Sequence, residues 1–307
     1  MSGPVKTLRL GSRGSALALA QASWVKQRIE AERAELSVEL VVIKTSGDRF
    51  MEAPIQTIGG KGIFTKEIED ALLRKEVDLA VHSMKDLPTQ LPVGLAIAAV
   101  PERVDARDVL VAVNEMRLDQ LPPGARVGTG SLRRRAQLLH YRPDLSLVPI
   151  RGNIDTRLKK LEAGEVDALV MAAAGLKRIG REDRITEFIS DDICVSAVAQ
   201  GALGLETRED DAARAQLSFL HHGPTFAEVE AERAFLRRLG GGCHVPVGAR
   251  ARAEGDRLTI VGVVAEPDGS ILCRGAAAGV VAAADRLGRE LAERLLRDGA
   301  DRILALS

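Results

Sequence analysis

The chain has 307 residues, enough for two or three domains and a sizeable core. Apolar residues make up 46% and charged residues 28%, an ordinary globular composition, while an aromatic share of 3% excludes a binding surface of bundled aromatic rings. The formal net charge is zero, so the global balance points to neither nucleic acid nor an acidic membrane as partner.

Residues 1–10 hold no apolar signal core, and no stretch approaches the length that spans a bilayer, so a cytoplasmic protein is expected. Thr7 to Leu10 reads as a strand, followed by the turn Gly11-Ser12-Arg13-Gly14-Ser15 and an alanine- and leucine-rich helix to about Ala34. Leu36 to Ile43 alternates and is β-branched, which predicts a second strand. Residues 45–62, with Gly47, Pro54, Gly59, Gly60 and Gly62, read as a long mobile loop of the kind that serves as a lid. Phe64, Ile68 and Leu72 then mark a helical stripe, before the strand Leu79-Ala80-Val81, the turn His82-Ser83-Met84-Lys85-Asp86 and a strand at Leu95 to Val100.

From Asp108 the order begins again. A strand at Arg126-Val127 runs into Gly128-Thr129-Gly130-Ser131 and a helix from Leu132 to Tyr141; a strand at Leu145 to Ile150 and a helix carrying Ile154, Leu158 and Leu161 follow. Glu165-Val166-Asp167-Ala168-Leu169-Val170 then echoes Glu76-Val77-Asp78-Leu79-Ala80-Val81. The expected fold is therefore α/β: two similar lobes facing one another across a cleft, with strand C-termini and helix N-termini at its mouth. Ser196 to Leu205 reads as a small, flexible return to the first lobe. Beyond it, a helix from about Ala227 to Leu239, alternating segments at Val247 to Ala253, Leu258 to Val264 and Ile271 to Ala276, and a closing helix with Leu287, Leu291 and Leu295 predict a small α+β domain. The expected domains are residues 1–101 with 198–220, 102–197, and 221–307.

Between Arg126 and Lys160 nine basic residues face two acids, Asp144 and Asp155. Arg133 and Arg134 stand in the first turn of a helix, where the dipole disfavours cations, so an anionic ligand explains them better than helix stability does. Arg151 and Arg157 follow the next strand, and Arg13 with Ser15 occupies the matching turn of the first lobe. Guanidinium groups suit carboxylate and phosphate alike, and a solvated basic face is the competing reading. Lys85 and Asp86 end a buried-strand pattern, the usual place for a catalytic group. The three cysteines are too few and too scattered for a disulfide framework or a zinc site, and Cys194 and Cys273 read as core. Cys243 differs, because Gly240-Gly241-Gly242 puts it on an irregular backbone free of side-chain bulk. It is either a helix cap followed by a buried thiol or a thiol open to a bound group. A Cys243-His244 dyad is disfavoured, since neighbours in an extended chain point to opposite sides.

Taken together, Ser12 to Ala18, Gly59 to Glu67, His82 to Asp86, Gly128 to Arg134, Arg151-Gly152-Asn153, Ala174 to Arg178 and Gly241-Gly242-Cys243 resemble the porphobilinogen deaminase (hydroxymethylbilane synthase) family over nearly the whole chain. The resemblance implies two periplasmic-binding-protein-like lobes and a third small domain. It also implies a transferase of tetrapyrrole and heme biosynthesis carrying a dipyrromethane cofactor, made from its own substrate and joined by thioether to Cys243. Arg133, Arg134 and Lys85, with Ser83, Asp86, Thr129 and Ser131, would hold that cofactor; Arg13, Ser15, Arg151, Arg157, Arg178 and Gln200 would hold porphobilinogen and the growing chain. Asp86, with Lys85, would be catalytic, stabilising positive charge on a pyrrole nitrogen as ammonia leaves and the next bond forms. Four rounds would precede hydrolytic release of the linear tetrapyrrole, with Lys61 and Phe64 belonging to a lid that excludes water. No metal, nucleic acid or membrane is implied, and the expected state is a monomer. Gly130, Ala199 and His244 stand where serine, glycine and glutamine are the frequent choices. The competing function is a non-catalytic two-lobe carrier of organic anions, which would have no use for the thiol of Cys243 or the carboxylate of Asp86 and, if exported, would need a signal peptide.

Overall fold

The computed structural model describes residues 6–46, 64–240 and 245–305. The chain divides into two compact units, Met1–Arg103 with Ala202–Gly223, and Val104–Gly201 with Pro224–Ser307.

The first unit is one α/β lobe. Strand β1 (Lys6–Ser12) buries Leu8 and Leu10, and Ser15 then accepts the Ala18 N–H to start helix α1 (Ala16–Glu32). That helix lays Ala22, Val25 and Ile29 on the sheet at helical spacing and returns the chain to β2 (Leu36–Val42), parallel to β1. Helix α2 (Lys66–Leu73) covers the opposite face with Ile68 and Leu72, and leads to β3 (Leu79–Ser83), parallel to β1 on its other side. β4 (Leu95–Ala99) forms the edge. Between β3 and β4, antiparallel to both, lies Leu203–Arg208, β10 in chain order.

The second unit repeats that plan. β5 (Asp108–Ala112), β6 (Arg126–Gly128), β7 (Ser146–Val148), β8 (Ala168–Ala172) and β9 (Glu187–Phe188) form a sheet in the order β7-β6-β8-β5-β9, position for position the β2-β1-β3-β10-β4 order of the first. β6, β7 and β8 are parallel and β5 runs against β8. Helices α3 (Leu132–Tyr141), α4 (Ile154–Glu162) and α5 (Ala173–Arg178) complete the lobe. The echoed Glu-Val-Asp segments do one job twice: Asp78 accepts the Arg9 N–H at 2.9 Å and pairs with its guanidinium, and Asp167 does the same for Arg126 at 2.7 Å. The carboxylate thus fixes the register of the loop against β1 in one lobe and β6 in the other.

The same unit contains the small α+β part, where helix α6 (Gly223–Arg238) precedes the antiparallel meander β11 (Val247–Glu254), β12 (Arg257–Ala265) and β13 (Leu272–Val280) and helix α7 (Ala284–Leu295) closes it. A β-carbon at Gly288 of α7 would lie 2.1 Å from the Ala231 carbonyl oxygen, so only glycine permits the approach of α7 to α6 there.

Two expectations need correction. Ser196 to Leu205 returns the chain to the first lobe as expected, but not as a flexible segment: Ser196, Ala199 and Gln200 are buried, and Leu203–Arg208 is a wholly buried strand. Its polar side chains hid it, and they are tolerated because each has a partner; Arg208, for example, donates to the carbonyl oxygens of Leu72 and Val77. Cys273 is not core either. It sits half-buried on β13, with Sγ 3.9 Å from the Asp298 carbonyl oxygen.

Candidate active site

In the first lobe β1 and β3 are parallel neighbours, so the turns that follow them open at the same end of the sheet. After β1, Arg13 is half-buried with its guanidinium 4.2 Å from the centroid of the Phe64 ring, and Ser15 is the α1 cap. After β3, a single 3₁₀ turn, Met84–Asp86, leaves Lys85 and Asp86 exposed between the buried Met84 and Leu87. Ser83 is held by Gln21 of α1, whose Nε2 donates to Oγ at 3.0 Å. Lys61 and the stretch 47–62 of the expected lid lie outside the described residues. At its start Thr45 is buried and the Ser46 N–H donates at 2.8 Å to Glu67 of α2.

In the second lobe the corresponding turns follow β6, β7 and β8. Thr129 is buried and accepts the Ser131 N–H at 3.3 Å; Ser131 caps α3, accepting the Arg134 N–H at 3.4 Å. A β-carbon at Gly130 would meet the Ile150 carbonyl oxygen at 2.8 Å, so the glycine there fits the close approach of two turns. Arg133 and Arg134 are buried, and the anion that faces them is part of the protein. Asp108 at the head of β5 takes Arg133 Nη1 and Arg134 Nη2, each at 2.7 Å. Burial alone would raise its carboxyl; the charges of the two guanidinium groups reverse that and hold it far below the usual carboxylate range. Gln200 joins the cluster, its Nε2 donating to Asp108 at 2.8 Å and to the Ala106 carbonyl oxygen at 2.7 Å. Asp108 carries no local signal in the sequence, because the two arginines it pairs with stand 25 and 26 residues further along the chain.

One carboxylate against two guanidinium groups leaves a positive charge over, and two more cations stand close by in the lobe. Arg157 on α4 and Arg178 on α5 are half-buried, and among the described residues their partners are backbone carbonyl groups, Gly152 and Gly201, at 2.8 and 2.7 Å. Burial lowers both to about 10, assisted for Arg157 by the Arg134 charge, so they remain charged at neutral pH. Arg151 is exposed after β7. Cations desolvated in this way fit a ligand that brings several carboxylates, as a dipyrromethane does. Cys243 and His244 lie outside the described residues; before them α6 ends, and Gly240 takes φ +88°, the left-handed conformation expected of a helix cap. Cys194 is fully buried with its thiol pushed up to about 12, first by burial and then by Asp108, and its place is the core.

Two family models match the chain: "Porphobilinogen deaminase, dipyromethane cofactor binding domain" over residues 8–216, and "Porphobilinogen deaminase, C-terminal domain" over 226–297. The porphobilinogen deaminase of Syntrophotalea carbinolica is 53% identical over 299 residues, covering 97% of this chain and 95% of that one. That of Syntrophus aciditrophicus is 54% identical over 298 residues, 97% of each. Among solved structures, the periplasmic aliphatic sulphonate binding protein SsuA from Escherichia coli is a looser likeness, with 16% identity and a TM-score of 0.40 over 76% of this chain and 70% of that one. With family models accounting for nearly all of its length, and relatives matching it end to end at half identity, this chain belongs to the porphobilinogen deaminase family.

Proposed function

We infer that the chain is a porphobilinogen deaminase, a transferase that condenses four porphobilinogen molecules head to tail with loss of ammonia and releases the linear tetrapyrrole hydroxymethylbilane by hydrolysis. The observation that carries this is identity of 53–54% over 97% of the chain to porphobilinogen deaminases. A carrier without chemistry is not favoured. When bound, the dipyrromethane supplies the free α-carbon on which the chain grows.

The residue roles are our proposal. Cys243 carries the thioether, a bond that survives the final hydrolysis where an ester would not. Arg133, Arg134 and Lys85 hold cofactor carboxylates, with Ser83, Thr129 and Ser131 as hydroxyl partners; the burial of both arginines on Asp108 supports this, because it fixes their orientation before any ligand arrives. Arg13, Ser15, Arg151, Arg157, Arg178 and Gln200 hold the acetate and propionate arms of the substrate. The desolvated state of Arg157 and Arg178 supports that role. The Asp86 carboxylate accepts a pyrrole N–H and stabilises the positive charge that develops on that nitrogen as ammonia departs and again as the new bond forms. Its exposure at a strand C-terminus supports that use. Phe64, beneath Arg13, and Lys61 exclude water from the reacting pair.

Three separate sheets among the described residues support three domains, residues 1–101 with 198–220, 102–197, and 221–307, the last bearing Cys243. The family resemblance supports a cytoplasmic monomer. The decisive test is the denatured mass of the purified protein beside Cys243→Ser, together with ammonia release from porphobilinogen. An adduct of two pyrrole rings in the first and none in the second is expected; an unmodified, active wild type would overturn the reading.

A further inference from the structure

Behind the turn that bears Lys85 and Asp86, the interior of the first lobe holds three titratable side chains that no step above employs. His82 of β3 and Glu206 of β10 are diagonal neighbours on one face of the sheet, since His82 stands opposite Gly204 and Ala80 opposite Glu206. Their Nε2 and Oε2 atoms are 2.9 Å apart, with side-chain exposures of 3% and 0%. Glu69 of α2 is buried beside them, its carboxyl held above the usual range first by burial and next by the Glu206 charge. A buried polar pair of this kind adds little net stability, because desolvation offsets the attraction, but it is strict about geometry: moving either partner leaves a polar group unmatched in the core.

The residues after His82 are fixed just as firmly. Ser83 is bonded to Gln21, and the Met84 N–H donates to the Ala202 carbonyl oxygen at 3.0 Å. The Met84 side chain fills the space left by Gly204, where a β-carbon would lie 2.4 Å from the sulfur and 3.3 Å from Leu87. The one exposed pair in this stretch, Lys85 and Asp86, is thus flanked on both sides by anchored residues.

We propose that the buried His82–Glu206 pair, with Glu69 behind it and Met84 seated on Gly204, is a positioning centre that sets where the Asp86 carboxylate stands and so governs the rate of the chemical step rather than the capture of substrate. The proposal rests on the role assigned to Asp86. Misplacing a catalytic group by about 1 Å costs on the order of 100-fold in rate, which sets the scale of the expected effect.

The test compares Gly204→Ala, Glu206→Gln and the double variant His82→Gln/Glu206→Gln with wild type and Asp86→Asn. It reads kcat, KM, denatured mass and thermal midpoint. Gly204→Ala and Glu206→Gln are expected to lower kcat by roughly 10- to 100-fold with KM within about twofold and the two-ring adduct retained. The double variant, whose two amides can match donor to acceptor, is expected to recover much of what Glu206→Gln loses. A folded Gly204→Ala with wild-type kcat overturns the proposal, as does a loss that follows KM or the adduct. If Glu206→Gln does not fold, Gly204→Ala decides alone; if neither folds, the cluster is a folding device and the proposal falls. Full activity in Asp86→Asn would instead refute the assignment of Asp86.

Discussion

Asp108→Asn tests the electrostatic frame of the second lobe. The carboxylate is fully buried and accepts from Arg133, Arg134 and Gln200, with its closest contacts at 2.7 Å. Asparagine keeps the volume but removes the charge and turns an amide donor toward guanidinium donors, leaving two buried cations uncompensated. Breaking a buried ion pair from one side costs about 3–5 kcal/mol. For a unit the size of Val104–Gly201 with Pro224–Ser307, each kcal/mol moves the thermal midpoint by about 2–4 °C, so a fall of roughly 6–20 °C is expected by calorimetry. The pH dependence adds a second check. Asp108 titrates well below its unfolded value, so its contribution is fully present above about pH 4 and disappears only as pH falls through the depressed folded value. The gap between wild type and variant should therefore be constant from pH 5 to 8. A fall of less than about 2 °C, or a gap that changes across that range, would refute the claim that Asp108 neutralises these arginines.

Asp86→Asn should keep the two-ring adduct, seen by denatured mass, and lose most of its turnover. Arg151→Leu should weaken substrate capture, visible as a raised KM; unchanged KM and kcat would place Arg151 outside the site. Cys194, buried and with its thiol raised to about 12, should resist alkylation of the native protein at pH 8 and react once guanidinium unfolds it, as followed by peptide mass mapping. Ala199 takes φ +59°, a left-handed conformation that disfavours a side chain, so Ala199→Gly should raise the thermal midpoint slightly, by up to about 1 kcal/mol of stability, and a lowered midpoint would show that the strain is absent.

The elements legible in the sequence are those whose burial obeys a local period. β1, β2 and β3 and their echoes β6, β7 and β8 lead into glycine- and serine-rich turns or alternate cleanly, and α3 runs from Leu132 to Tyr141 as its pattern predicts. The strand in fourth place in each five-stranded sheet was not legible, for one physical reason. β10 carries Glu206, Thr207 and Arg208, and β5 begins with Asp108; all four are buried. A window of sequence scores such residues as surface, whereas their partners, His82 for Glu206 and Arg133 with Arg134 for Asp108, are far away in the chain. The strand-end arginines were legible as a set because composition reveals a charge surplus. Which of them are neutralised internally was not, since that depends on the strand that the pattern hid.

The internal neutralisation has a consequence for binding. An exposed arginine sheds water when it takes up a carboxylate, and that cost is subtracted from affinity. Arg133 and Arg134 are buried and oriented by Asp108 whether or not a ligand is present, and Arg157 and Arg178 are half-buried on backbone carbonyl groups. Much of the desolvation is thus charged to folding instead of to each binding event. On the roles proposed above, a site that takes up one carboxylate-bearing ring after another gains from this, because each ring would meet Arg157 and Arg178 already in place. It follows that Arg157→Lys, which keeps the charge but presents a compact ammonium without the Nε donor that reaches Gly152, should lose substrate affinity, whereas a lysine at the exposed Arg151 should be tolerated better. Equal losses at the two positions, read from KM, would show that the desolvated setting of Arg157 has no part in binding.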